Sequence, residues 1–128
     1  MIALKVGVVG SRNFTDERLM TGAVEDLFCI ADPTVFISGG AHGADDMIAR
    51  IALSMGIDII EHVPNRARYN WPAAAFERNT LIVNDSDMLL AFFGPGQPPS
   101  VNKSGTMDTV RKAIAKRIPV HLYFQDEA

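Results

Sequence analysis

Three short segments of the sequence combine glycine with hydroxyl, cationic or acidic side chains, which is typical of loops that bind anions. They comprise residues 10–12, 38–45 and 104–106. Glycine lets backbone N–H groups approach a ligand closely, and the N-terminus of a helix adds a positive potential. Each segment precedes a predicted helix. Their repetition therefore indicates a ligand that carries phosphate, such as a nucleotide.

Two arginines are the strongest candidates for neutralising that phosphate. Arg12 belongs to the first segment, and Arg78 lies on a predicted helix that faces the same site. A guanidinium presents five N–H donors in a planar fork that suits a phosphate group. The structural alternative for either arginine is an ion pair with Asp45, Asp85 or Asp87 that braces the loops.

Other side chains near the segments have both a structural and a functional interpretation. Asp45 caps a helix or holds a ribose hydroxyl, and Trp71 plugs an irregular loop or stacks on a base. Asp87 opens a strand, and we expect it to orient Arg78 or Asn79. Helix capping and ligand contact are both open for four hydroxyl residues that we place at helix starts: Ser11, Ser38, Ser104 and Thr106.

A regular alternation of strand and helix patterns positions these residues. Strands are predicted at 5–9, 34–37, 57–63, 87–93 and 119–124. Helices are predicted at 16–30, 73–84 and 105–116, with another from a cap at Asp45 or Asp46 to a stop at Gly56. We therefore predict a three-layer Rossmann-like α/β fold with a five-stranded parallel sheet in the order 3-2-1-4-5, forming one domain over residues 1–128. Ligands of such sheets bind beyond the carboxyl ends of the strands, where the strand order reverses.

Composition and charge argue against several kinds of binding partner. The net charge of −3 argues against sequence-independent binding to a polyanion, although not against a small anionic ligand. Cys29 is the only cysteine, so no internal disulfide forms and a reducing cytoplasm is the expected location. No apolar run reaches the roughly 18 residues that span a bilayer, and we expect no membrane partner. Histidine and cysteine spacings indicate no metal site, no cofactor is expected, and a homo-oligomer stays open.

Two widespread phosphate-binding motifs are excluded by spacing. Lys103 and Ser104 match the end of a P-loop, but Asn102 stands where that motif requires glycine. Residues 7–10 read G-V-V-G, which is not G-x-G-x-x-G, and the second strand ends in glycines instead of the acidic residue that holds a ribose. The phosphate-binding pattern of this chain is therefore of another kind.

A different series of motifs extends from about Lys5 to Val120. It reads G-S-R, then S-G-G-A-x-G-A-D, then F-x-R-N, then S-G-T-x-x-T-V. This series resembles the SLOG superfamily of Rossmann-like nucleotide-binding proteins, and most closely its YspA-like branch. The resemblance implies that the chain binds a nucleotide or a nucleotide derivative, including ADP-ribose-like molecules.

Two relatives in that superfamily imply different activities. LOG-type phosphoribohydrolases cleave the N-glycosidic bond of a nucleoside monophosphate, and their motifs are similar at Arg78 and at residues 104–106. The glutamate of those enzymes falls on Thr109, so whether this chain is an enzyme stays open. The DNA-processing protein A family binds single-stranded DNA and has a similar R-N motif, but Thr80 replaces the arginine that follows it.

A nucleotide-binding domain is the function that we expect. A nucleoside-monophosphate N-glycosidase and a single-stranded nucleic-acid-binding module are the alternatives, and nucleic acid is not the favoured partner. Residues 94–103, rich in proline and glycine, are predicted to form a lid over the ligand. The expected ligand contacts are Gly10, Ser11, Arg12, Ser38, Gly39, Gly40, Gly43, Asp45, Trp71, Arg78, Asn79, Ser104, Gly105 and Thr106.

Overall fold

Strands and helices alternate along the whole described chain. The computed structural model describes residues 3–40, 43–96 and 105–126. Its strands are β1 (Ala3–Gly10), β2 (Asp32–Ser38), β3 (Asp58–Glu61), β4 (Met88–Phe93) and β5 (Val120–Phe124). Its helices are α1 (Glu17–Phe28), α2 (Ala44–Met55), α3 (Ala73–Asp85) and α4 (Gly105–Lys116). The α/β class predicted from the sequence is confirmed.

The five described strands form one parallel sheet in the order β3-β2-β1-β4-β5, the order expected from the sequence. The chain builds β1, β2 and β3 outward in one direction and then crosses back to place β4 on the other side of β1. Gly10 and Phe92 are register partners at the carboxyl ends of β1 and β4. The strand order therefore reverses next to the first glycine-containing segment, which is where such sheets bind ligands.

The sheet separates two apolar cores. In β4 every residue is buried, and the side chains alternate between the cores. Leu90 and Phe92 pack with α1 and α2, whereas Leu89 and Phe93 pack with α3 and α4. A nearly continuous apolar strand is expected where helices cover both faces of a parallel sheet.

Helix α1 begins one residue after its predicted start at Asp16 and ends two residues before its predicted end at Ile30. Asp16 is the N-cap, and its Oδ1 accepts a hydrogen bond from the backbone N–H of Leu19 at 3.0 Å. The first glycine-containing segment therefore lies before an intervening loop and not at a helix start. The predicted capping role of Ser11 is wrong for this reason, and that of Ser38 is wrong because Ser38 ends β2.

Helix α2 begins at Ala44, with Gly43 as its N-cap and no side-chain hydrogen bond to the cap. The prediction that Asp45 or Asp46 caps this helix is therefore wrong. Both carboxylates lie inside the first turn, where the helix dipole favours negative charge. The predicted stop is confirmed, because Gly56 has the left-handed conformation at φ 70°.

Asp87 lies at the amino-terminal edge of the sheet. Its Oδ2 accepts a hydrogen bond from the backbone N–H of Lys5 at 2.9 Å, and its own N–H donates to the carbonyl of Lys5 at 2.8 Å. These bonds join the starts of β1 and β4. The prediction that Asp87 orients Arg78 or Asn79 is wrong, because a residue that precedes a parallel strand lies at the opposite edge from the loops that follow the strands.

Tyr123 of β5 stacks on Phe92, with ring centroids 4.8 Å apart and an interplanar angle of 12°. Burial raises the pKa of the Tyr123 hydroxyl, and the charge of Asp26 raises it further. The folded state therefore holds this proton more tightly than the unfolded chain does. Stability from this source is complete below the unfolded pKa of about 10 and is lost as the pH rises toward the folded value.

We expect Tyr123→Phe to reduce the loss of stability in alkali, because phenylalanine has no proton to release. The free energy of unfolding should fall less between about pH 8 and about pH 11 in the variant than in the wild type. Urea unfolding at both pH values measures this difference. An identical alkaline loss in the two proteins would contradict the assignment.

Within the described residues, no helix combines the length and the apolar character that a membrane span requires.

Candidate functional site

A cavity of about 680 Å³ lies at the carboxyl edge of the sheet, where the strand order reverses. This volume falls in the range of about 300–1,000 Å³ that small-molecule sites occupy. The cavity is lined by the end of β1 and the loop after it, by the N-terminal turns of α2 and α4, and by one face of α3. The predicted contact residues that line it are Gly10, Ser11, Arg12, Gly39, Asp45, Trp71, Arg78, Asn79, Gly105 and Thr106.

Three predicted contact residues do not line the cavity. Ser38 is fully buried, and its Oγ accepts a hydrogen bond from the N–H of Gly40 at 3.4 Å. Gly40 is exposed and lies toward Glu61, and Gly43 lies behind the loop that carries Arg12. Ser104 and most of the predicted lid fall outside the described residues.

Arg78 is half-buried and fixed by two hydrogen bonds. Nη1 donates to the carbonyl of Gly39 at 3.0 Å, and Nε donates to Oδ1 of Asn79 at 2.9 Å. Among the described residues these bonds leave Nη2 for another acceptor. The side chain therefore links the residue after β2 to α3.

The electrostatic environment of Arg78 disfavours its positive charge. Burial is the largest influence and lowers the pKa of Arg78, the charge of Asp45 raises it, and the charge of Arg12 lowers it. Arginine stays protonated in proteins despite such effects. A lowered pKa therefore indicates that the charged form is disfavoured in the cavity, and an anion beside it would offset that cost.

Two glycines set the backbone around the arginines. A Cβ on Gly39 would overlap the guanidinium of Arg78, so no side chain fits there without displacing it. Gly43 has φ 79°, and a Cβ on it would lie 2.6 Å from the carbonyl oxygen of Arg12 and 2.7 Å from that of Ser11. The loop with Arg12 therefore packs directly against the start of α2.

Asn79 joins α3 to the first turn of α4. It is buried, and its Nδ2 donates to the carbonyl of Gly105 at 3.2 Å and to Oδ2 of Asp108 at 3.1 Å. The same carboxylate oxygen accepts from Nζ of Lys112 at 2.7 Å. Asp108 is thus engaged between the helices, and the cavity wall at this turn is formed by Thr109 instead.

The side-chain hydroxyls of Ser11 and Thr109 at the site both make hydrogen bonds within the protein. Ser11 Oγ accepts a hydrogen bond from the buried N–H of Gly94 at 2.7 Å, which ties the residue after β4 to the first loop. Thr109 Oγ1 donates to the carbonyl of Gly105 at 3.0 Å, within its own helix. Thr109 therefore contributes neither charge nor an uncommitted hydroxyl proton to the cavity.

Sequence reasoning missed part of the lining. The lining residues absent from the predicted contacts are Val9, Asn13, Pro72, Ala75, Phe76, Ile82 and Thr109. A signal existed for some of them, because Ala75 and Ile82 stand three before and four after Arg78, a spacing that shares one helix face. Asn13 had no such signal, since its place depends on how the loop after β1 folds back.

The described residues contain no group of three or more histidine, cysteine, aspartate or glutamate side chains that could hold a metal ion.

Comparisons with known proteins place the chain in a family. A model of the YspA, cpYpsA-related SLOG family matches residues 4–69, slightly more than half of the 128 residues. The matched part contains β1 from its second residue, β2 and β3, and it includes the first two glycine-containing segments, residues 10–12 and 38–45. No curated protein sequence matches the chain.

A solved structure shares the fold. The X-ray structure of DNA processing protein A (DprA) from Streptococcus pneumoniae superposes with a TM-score of 0.55 and 16% identity, covering 93% of this chain. This chain spans 58% of the length of that chain. At such low identity the likeness concerns the fold alone, whereas the family match rests on sequence. The chain belongs to the YspA, cpYpsA-related SLOG family.

Proposed function

We propose that this chain binds a nucleotide or a nucleotide derivative in the cavity, with a phosphate group between Arg12 and Arg78. The observation that carries the proposal is that Arg12 and the half-buried Arg78 line one cavity at the carboxyl edge of the sheet, where burial and Arg12 disfavour the charge of Arg78 and Asp45 favours it. A phosphate would supply negative charge and acceptors for the guanidinium donors. ADP-ribose-like molecules belong to the same ligand class.

The surroundings of the two arginines support a nucleotide over a simple anion. Gly105 and Thr106 bring the first turn of α4 to the cavity, and N–H groups in such a turn have no partner within the helix. Trp71 lines the cavity with half of its surface exposed, and an indole face suits a nucleobase. The cavity thus offers a charged part for phosphate and an aromatic wall for a base.

Trp71 also provides the test, because it is the only tryptophan in the chain. AMP and ribose 5-phosphate should both bind in calorimetry, but only AMP should quench the fluorescence of Trp71, since only AMP carries a base. Absence of binding by AMP, by other nucleoside monophosphates and by ADP-ribose would refute the proposed function. Equal quenching by ribose 5-phosphate would refute the position of the base.

A nucleoside-monophosphate N-glycosidase is the second candidate, and the position of Asp45 favours it. This carboxylate lines the cavity and is 7% exposed. Hydrolysis of AMP would consume water, break the bond between ribose and adenine, and release ribose 5-phosphate. Positive charge develops at the anomeric carbon, and a nearby carboxylate would stabilise it.

We expect no efficient release of adenine from AMP by the wild-type protein. The position that holds glutamate in LOG-type enzymes is the neutral Thr109, and Asp108 is engaged by Asn79 and Lys112. Chromatography of AMP incubated with wild-type protein and with Thr109→Glu measures adenine directly. Efficient turnover that is abolished by Asp45→Asn would contradict this expectation and assign the catalytic carboxylate to Asp45.

A further inference from the structure

Two basic side chains, Arg66 and Arg68, precede two aromatic ones, Tyr69 and Trp71, and of these four residues only Trp71 lines the cavity. The Cζ of Arg66 lies 4.8 Å from the ring centroid of Trp71, and the Cζ of Arg68 lies 5.5 Å from that of Tyr69. Trp71 is itself a wall of the cavity. The guanidinium of Arg66 therefore lies against the ring of Trp71, a residue that also lines the proposed binding site.

Local hydrogen bonds fix the backbone of this segment. Asn65 receives two of them, from the N–H of Tyr69 to its carbonyl at 3.0 Å and from the N–H of Arg68 to its Oδ1 at 3.2 Å. The N–H of Arg66 donates to the carbonyl of Pro64 at 3.1 Å. The two arginines thus project from an ordered turn.

The charges of Arg66 and Arg68 are exposed and lack a carboxylate partner in the described part of the chain. The ion pairs found there use Arg50, His62 and Lys112 instead. A guanidinium stacked on an aromatic face still presents N–H donors at its edge. Both guanidinium groups can therefore donate hydrogen bonds to an anionic group without breaking an ion pair that the structure describes.

We propose that Arg66 and Arg68 form a distal subsite for a second phosphate group of the ligand. The proposal rests on the proposed function, because it takes the first phosphate to be held by Arg12 and Arg78. The preferred ligand is then longer or more highly charged than a nucleoside monophosphate. Because the whole chain carries a net charge of −3, attraction for a second phosphate has to come from such local cations.

The second phosphate can belong to two kinds of molecule. In a pyrophosphate it follows the first phosphate directly, whereas in an oligonucleotide it stands on the other side of the ribose. ADP represents the first arrangement and adenosine 3′,5′-bisphosphate the second. A gain in affinity over AMP for either probe supports the subsite, and the probe that shows it identifies the source.

The experiment compares AMP, ADP and adenosine 3′,5′-bisphosphate by calorimetry at one pH and one ionic strength. The wild type should bind at least one doubly phosphorylated probe roughly fivefold more tightly than AMP, which is the upper end for exposed ion pairs. Arg66→Ala combined with Arg68→Ala should make the affinity for that probe equal to the affinity for AMP, and this ratio is the readout because Arg66 also packs on Trp71. Circular dichroism checks that the variant is folded.

The matched control combines Arg18→Ala with Arg50→Ala. It removes the same charge from two exposed arginines on α1 and α2, outside the segment that carries Arg66 and Arg68, so it should keep the gain. The subsite is refuted if the wild type binds all three probes equally, if the gain survives in the Arg66 and Arg68 variant, or if the control loses it too. Failure of the wild type to bind these three probes, the other nucleoside monophosphates and ADP-ribose would instead refute the proposed function, and the subsite with it.

Discussion

Arg78→Ala is expected to weaken AMP binding about 10- to 100-fold while the domain stays folded. A charge-assisted hydrogen bond to phosphate contributes about 1.5–3 kcal/mol, which corresponds to that range. The variant also loses the bond from Arg78 to the carbonyl of Gly39, at a cost of about 1 kcal/mol. Removal of a half-buried charge offsets part of that cost. Calorimetry gives the affinity, and thermal unfolding followed by circular dichroism gives the stability.

Two further variants make the Arg78 experiment specific. Arg78→Lys keeps the charge but loses the planar fork, so its affinity should fall between those of the wild type and Arg78→Ala. Arg50→Ala removes an exposed guanidinium away from the cavity and should leave binding unchanged. Wild-type affinity in Arg78→Ala would show that Arg78 only braces β2 against α3.

Gly43→Ala is expected to destabilise the domain by about 3 kcal/mol and to weaken AMP binding. The backbone of Gly43 has φ 79° and ψ −120°, a conformation that alanine adopts only with strain. The added Cβ would also press on the backbone carbonyls of Ser11 and Arg12, at 2.7 Å and 2.6 Å. Because both neighbours are backbone atoms, the loop that carries Arg12 has to move.

Gly56→Ala is the matched control for that substitution. Gly56 also has a positive φ, at 70°, but a Cβ there would have no atom within 4 Å. We expect a loss of about 1 kcal/mol from backbone strain alone, with unchanged AMP binding. Urea unfolding and calorimetry on both variants separate the effect of backbone strain from the effect of displacing the loop that carries Arg12. Equal losses of stability would mean that the contact with the Arg12 loop is unimportant.

The fold was predictable because its signals are local. Apolar runs identified the strands. An early aspartate and late basic residues, which suit the helix dipole, identified α4 with the bounds that the structure has. Errors arose where local chemistry was ambiguous. The predicted second strand begins only after Pro33, at residue 34, whereas β2 begins at Asp32. The first residues of β2 pair with β1 across a register shift. Two adjacent aspartates at the start of α2 suggested a side-chain cap, whereas Gly43 takes that position.

The candidate site was predictable only in part, because several contacts join distant parts of the chain. Arg12 and Arg78 stood out by residue type and motif. The bond from Gly94 to Ser11 and the role of Asn79 between two helices depend on tertiary packing, which no local pattern encodes. Asp87 was misplaced because strand direction, and not proximity in sequence, decides which edge a residue occupies.

The bonds that Arg78 makes to Gly39 and Asn79 have a kinetic consequence. A side chain already held in one geometry loses little rotational freedom when a ligand arrives. Encounter then requires no slow rearrangement of this guanidinium, so association can approach the rate of other preformed sites. Differences in affinity among ligands would then arise mainly from differences in the dissociation rate. Residence time would separate a ligand that reaches beyond Trp71 from one that ends inside the cavity.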